Sequence, residues 1–225
     1  MTSPPTRKPT PQDETGVDDA LRARRGELAE ALGLPSADAL PLVSLPANRT
    51  RIRPLPERRR KHFLAHLNRV VDEAFATVPS HPTEPAHEED GTSPWLGEAC
   101  GTCRGRYCHA GGDHAFLDVV TIHAYRHDHP EATRDEVVDA YASRLGDAAY
   151  DRGCVYQADG GCRLPRTMRA RICNTFLCTP LHELRSLETT QAAHVLLAAH
   201  HGDKLVRLTL VATSAPPRHF ELDDE

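Results

Sequence analysis

The chain has 225 residues, a net charge of -5, a pI near 6.3 and 5% aromatic residues. That length suits one ordinary domain with extensions, or two small ones, and the charge balance speaks against nucleic acid or acidic lipid as a general partner. No apolar leader and no apolar run of about 18 residues is present, so neither secretion nor a membrane span is expected, and the reading is a reducing cytoplasm.

Residues 1–15, rich in Pro, Thr and charge, read as a disordered tail. A helical N-terminal region is expected over 16–77. Its first helix spans Val17 to Leu34, with Leu21, Leu28 and Leu32 on one side. The stretch 35–56 reads as irregular, and Pro56 suits the opening of the next helix. From Arg58 to Thr77, Phe63, Leu64, Leu67, Val70, Val71, Ala74 and Phe75 recur at helical steps. Arg58, Arg59, Arg60 and Lys61 crowd its first turn, near Arg51 and Arg53. They could meet a polyanion, but four cations oppose the helix dipole there, so the cluster reads as solvated surface.

Residues 78–94 form a Pro-, Glu- and His-rich linker in which His81 and His87 read as solvated. The segment 95–202 reads as the cysteine domain, and 203–225 as a strand and an acidic tail. Phe116 to Ile122 suggests a buried helix ending in YRHDHP, with His127 and His129 in a loop. Thr133 and Glu136 make a capping box for a helix carrying Val137, Val138, Tyr141 and Leu145. Ala158-Asp159-Gly160-Gly161 reads as a tight hairpin turn. Helices are expected over Met168 to Phe176 and Leu181 to Ala199, and a strand over Lys204 to Thr213. Residues 216–225, PPRHFELDDE, read as a loose tail.

All seven cysteines lie between residues 100 and 178. The pattern is Cys100-x2-Cys103-x4-Cys108-His109, then Cys154-x7-Cys162-x10-Cys173-x4-Cys178. An odd count in a reducing compartment speaks against a disulfide framework and for metal or redox chemistry. A C-x2-C turn can aim two thiolates at one cation and point turn amides at the sulfurs, and soft thiolates select zinc or iron–sulfur over magnesium or calcium. Cys173 and Cys178 on one continuous helix would diverge by about 140°, so a helix end is expected between them, with Pro180 as its signal. The two cysteine halves should converge in space.

The segment CVYQADGGCRLPRTMRARICNTFLC, with the upstream C-x2-C, resembles the YkgJ-like cysteine-cluster family, described as zinc- or iron-chelating proteins. The resemblance covers about residues 98–180. It implies metal ligation by Cys100, Cys103, Cys108, Cys154, Cys162, Cys173 and Cys178. The family's first motif is C-x2-C-x2-C-C. Here the second spacer has four residues and the final pair is reduced to one, so either His109 stands for its second member or Tyr107 for its first. The family's Arg-Pro before the third late cysteine is replaced by Met168-Arg169-Ala170-Arg171. Seven Cys and His109 would fit two four-coordinate zinc sites; four thiolates would hold one [4Fe-4S] cluster. Flagellin lysine methylases are similar over this module and are thought to carry such a cluster.

Nearby His114, with Asp113, could support the site as a further ligand or a hydrogen-bonding neighbour. No G-x-G-x-x-G, Walker A, G-x-S-x-G or H-E-x-x-H motif is present, so no catalytic residue is assigned. The expected fold class is α+β, mainly helical: a small metal-stapled domain with a short hairpin and a flexible N-terminal extension. Three functions fit: a metal or cluster protein acting as chelator, electron carrier or redox sensor; an interaction module with structural zinc and a protein partner docked on the 58–77 helix; or a cluster-dependent modifying enzyme such as a methylase.

Overall fold

The structure, a computed structural model, describes residues 11–48, 50–78, 94–189, 192–202 and 204–221. It is an α+β fold in which helix outweighs strand. The N-terminal half supplies α1 (Pro11–Ala31), β1 (Leu42–Pro46), β2 (Ile52–Pro54) and α2 (Glu57–Ala76). The middle supplies α3 (Pro94–Thr102), α4 (Val119–Asp128), α5 (Arg134–Ala142) and β3 (Ala148–Tyr150). Next come β4 (Gln157–Ala158), β5 (Gly161–Cys162), α6 (Arg171–Thr175), α7 (Thr179–Thr189), β6 (His194–His201), β7 (Lys204–Ala212) and β8 (Arg218–Glu221).

The main sheet has the order β1-β6-β7-β8. Strand β1 runs parallel to β6, with Val43 opposite Leu197, and the other pairs are antiparallel. Alternation along β6 serves two cores, as the period-2 strand geometry requires. Leu196 and Ala198 face α1, joining Leu21, Leu28, Leu40, Leu208 and Leu210. Val195, Leu197 and Ala199 face the other way, joining Val43, Leu45, Trp95, Ala99, Leu181 and Leu184 from β1, α3 and α7. A third core lies among α2, α4 and α5: Phe63, Leu67, Val71, Ile122, Val137 and Tyr141 meet Val155 and Tyr156 from the hairpin segment.

Several elements differ from the sequence expectation, each for a physical reason. The span 181–199 is not one helix. Helix α7 is followed by β6, whose unbroken apolar run is buried on both faces and has no period with which to tell strand from helix. The irregular stretch 35–56 contains β1 and β2, and the expected tail contains β8, all completed by distant partners. Phe220 of β8 lies under Arg24, 4.7 Å from the ring centroid. Helix α1 begins within the segment read as disordered, while residues 1–10 and the linker residues 79–93 lie outside the described residues. The expected helix 168–176 is shortened to α6, preceded by a 3-10 turn over Arg166–Met168. His127 sits in the last turn of α4 and His129 caps it, rather than both lying in a loop.

The arginine cluster is not merely solvated. Arg59 donates to Asp113 Oδ1 at 2.5 Å and also to the Gly153 and Tyr150 carbonyls, tying α2 to the two loops beside the cysteines. Arg60 donates to the Gly146 carbonyl at 3.2 Å. The apolar face of α2 is buried, so it is not the free docking face expected of an interaction module. The expected segments also meet across their boundaries: β1 pairs with β6, and β6 with β7. Among the described residues, no helix is long and apolar enough to cross a membrane.

The capping box of α5 is present in full: Thr133 accepts from the Glu136 amide, and the Glu136 carboxylate accepts from the Thr133 amide. Replacing Thr133 with Ala is expected to lower unfolding free energy by about 1 kcal/mol, read from the urea midpoint at unchanged m-value.

Candidate metal centre

The first three cysteines lie at the end of α3 and in the turns after it. Cys103 is followed by Arg104 and Gly105, both left-handed with φ of 55° and 72°. Glycine is needed at the second position: a Cβ there would come within 2.5 Å of the Gln157 side chain. This reversal turns the amides of Arg106 and Gly105 toward the Cys103 sulfur. Cys108 opens the short 3-10 turn Cys108–Gly111.

The late cysteines arrive on three short pieces. Cys154 precedes the β4–β5 hairpin and Cys162 ends it, paired with Gln157. Cys173 rides on α6, which stops at Thr175 as the spacing predicts. The Cys178 carbonyl accepts from the amides of Leu181 and His182, so Cys178 stands at the mouth of α7. Pro180 therefore lies in the first turn of a new helix, where its missing N–H costs nothing, and does not simply end the old one.

Two anchors hold these pieces together. Arg207, in the middle of β7 with only 6% of its side chain exposed, donates to the Gly101 carbonyl at 3.3 Å and the Asp159 carbonyl at 3.0 Å. It also pairs with Asp159 Oδ2 at 2.6 Å. Gly101 lies on the C-x2-C helix and Asp159 on the hairpin tip, so one guanidinium joins the two halves. The approach is close: a Cβ at Gly101 would stand 3.1 Å from the Gly160 carbonyl oxygen. Tyr150 Oη donates to the other Asp159 oxygen at 3.0 Å. Beside this, Thr102 Oγ1 donates to Thr209 Oγ1 at 2.8 Å, both residues being buried.

The thiols gather at a seam between two cores. Cys100, Cys103 and Cys178 pack against the sheet–α3–α7 core, and Cys154 and Cys162 against the α2–α4–α5 core. All seven are free thiols. Burial pushes Cys100 up to about 12, and the neighbouring charge of Cys103 adds to it. Burial raises Cys103 as well, partly countered by the amides of Arg106 and Gly105. Burial dominates at Cys108, which also feels Cys100, Cys103, Cys154 and Cys162, so the early and late halves are within electrostatic reach. Cys154 is held at about 12 by burial, against the pull of the Tyr156 amide. Cys173 is exposed as a residue, yet desolvation of its thiol, with the charge of Cys162, still pushes it up to about 11.

His109 stands apart. It is exposed, and its Nδ1 donates to the Arg106 carbonyl at 2.6 Å, leaving Nε2 with a lone pair. Asp113 is engaged by Arg59 and lies 3.6 Å from His62. His114 Nδ1 accepts from the Phe116 amide at 3.0 Å. Elsewhere, a cleft of about 350 Å³ is lined by Trp95, Glu98 and residues 211–217. Among the described residues no group of three His, Cys, Asp or Glu side chains stands ready to grip a single ion.

Sequence reading took Arg59 as part of a solvated cluster and Asp159 as a turn residue, and passed over Arg207, whose signal is a charge in the interior of the apolar strand KLVRLTLVA. The chain matches no protein-family model, no curated protein and no solved structure.

Replacing Arg207 with Met is expected to lower stability by about 2–3 kcal/mol, as for lost hydrogen bonds to a charged group, measured by urea unfolding. Metal-free, reduced protein should also weaken in alkali. Thiols raised in the fold but ordinary in the unfolded chain contribute fully below about pH 8.5. That contribution is lost as pH climbs toward about 11 and 12. A lower urea midpoint at pH 10 than at pH 7 is the expected reading; equal midpoints would mean the thiols are not buried.

Proposed function

We propose that this protein is a cysteine-cluster metalloprotein that holds an iron–sulfur cluster on four of its seven thiols, the others lining it, and serves as an electron carrier or redox sensor. The observation that carries this reading is the approach of thiols from both halves of the cysteine pattern: Cys100, Cys103 and Cys178 pack against one core, Cys154 and Cys162 against the other, and Cys108 feels thiols of both groups. Among the described residues no group of three donors is disposed to hold a single ion, so the reading rests on the approach of the thiols and on the cysteine pattern. The resemblance of the cysteine spacing to the YkgJ-like family, described as zinc- or iron-chelating, supports metal binding of either kind.

The donor set fits the group. Such a cluster supplies one-electron chemistry at a potential set by charge, hydrogen bonds to sulfur and solvent exposure. This chain contributes amide donors from Arg106 and Gly105 to Cys103 and from Tyr156 to Cys154. It contributes the positive charge of Arg169, felt by both Cys100 and Cys173. Because burial raises Cys100, Cys103, Cys108, Cys154 and Cys173, loading would release protons and strengthen with rising pH. A methylase reading has less support, since Asp113 is committed to Arg59 and no donor site is legible in the sequence.

Anaerobic purification, metal and sulfide analysis and a visible spectrum on one sample test the proposal. Iron, sulfide and a broad visible charge-transfer band are expected, with iron content reduced by more than half in Cys103→Ser and Cys173→Ser. A colourless protein with one or two zincs and no sulfide would replace the cluster by a structural staple.

A further inference from the structure

Six large hydrophobic side chains are exposed among the described residues: Ile52, Val78, Tyr107, Val120, Ile172 and Phe176. Single exposed residues need no explanation, but three of these come together. The rings of Tyr107 and Phe176 lie 5.5 Å apart, one from each cysteine half. Ile172 is one helical turn before Phe176, whose amide donates to the Ile172 carbonyl at 3.0 Å. The three are 45%, 48% and 46% exposed, and none belongs to any of the three cores. Cys173 sits among them, exposed.

The charge along the two segments that carry this patch is one-sided. Residues 99–112 and 160–182 contain six arginines and no Lys, Asp or Glu, while the rest of the chain holds 21 basic against 32 acidic residues. Arg106 adjoins Tyr107 and Arg171 adjoins Ile172, both exposed. Arg166 donates to the Asn174 carbonyl at 3.3 Å, which sets it beside α6. Among the described residues, Arg106, Arg166, Arg169 and Arg171 form no ion pair with a carboxylate. Aromatic residues with arginine are the groups enriched in protein interfaces, and the guanidinium fork matches a carboxylate.

We infer that the surface of Tyr107, Ile172 and Phe176, fringed by these arginines, docks an acidic protein partner beside Cys173. The inference needs only the fold, and stands whether the thiols hold iron, zinc or nothing. Bases of a nucleic acid also stack on exposed rings. An extended polyanion, however, would run onto the acidic remainder of this chain and be repelled, whereas a protein need match only the patch.

Site-specific photo-crosslinking in the cells that make the protein tests this, with benzoylphenylalanine placed at Phe176 and, as a control, at Val120. The expected result is one dominant adduct from position 176 to a protein of acidic isoelectric point, absent from position 120. Its yield should fall on the order of tenfold when Arg106→Glu and Arg171→Glu are combined, since opposed charges are replaced by like ones. An unchanged thermal unfolding curve of the charge-reversed variant shows that the fold is kept. Retention of a single-stranded oligonucleotide that the same reversal abolishes would overturn the inference in favour of nucleic acid. An adduct to a basic protein or to a second copy of this chain, an adduct unchanged by the reversal, or none at all, would also overturn it.

Discussion

A guanidinium buried in the middle of a β-strand is costly unless charged and polar partners surround it. Arg207 meets that demand with the Gly101 carbonyl, the Asp159 carbonyl and the Asp159 carboxylate. These acceptors come from the two halves of the cysteine pattern. Bringing the C-x2-C helix and the hairpin tip together on the sheet therefore offsets the cost of burying the charge. The absence of a side chain at Gly101 permits the approach, and the Thr102–Thr209 bond fixes α3 one residue further on. The sheet thus orders the site without lending it a ligand.

The thiols lie where two apolar cores abut, and cysteine there acts as a small hydrophobe. The same burial that lets sulfur complete a core keeps it protonated. Ligation needs the opposite state. The amides on Cys103 and Cys154 and the nearby charge of Arg169 favour the thiolate, so on the proposed reading the seam would balance two demands: apolar filling without a cation, and charge stabilisation with one.

What could be read from the sequence was what is decided locally. The α2 stripe, the α5 capping box, the Ala158–Gly161 turn and the β-rich run of β7 each rest on residues a few positions apart, and each is found. What could not be read depends on distant partners. Strands β1, β2 and β8 are short and weakly patterned, and they exist because Leu196, Tyr150 and Leu208 come to meet them. Strand β6 looked helical because a run buried on both faces carries no period, although Gly202-Asp203 after it was a usable hairpin signal. The cysteines themselves could be picked out from their crowding, but nothing in their spacing announces that Arg59 and Arg207 hold the loops around them. His109 shows the converse: its place after Cys108 suggests a ligand, while its side chain is exposed and bonded to the turn that carries it.

The parallel pairing of β1 with β6 has a consequence for how the molecule is made. These strands are the two ends of one long excursion of the chain, from Pro46 to His194, and every cysteine lies within it. The sheet cannot close until that excursion has been drawn in, and contacts between such distant segments are slow to form because the entropy of closure comes before the reward. During synthesis β6 also emerges after the last cysteine. The thiols are therefore all outside the ribosome, in an open chain, before the strand that seals them in is available. Any metal bound at that stage would shorten the loop left to close.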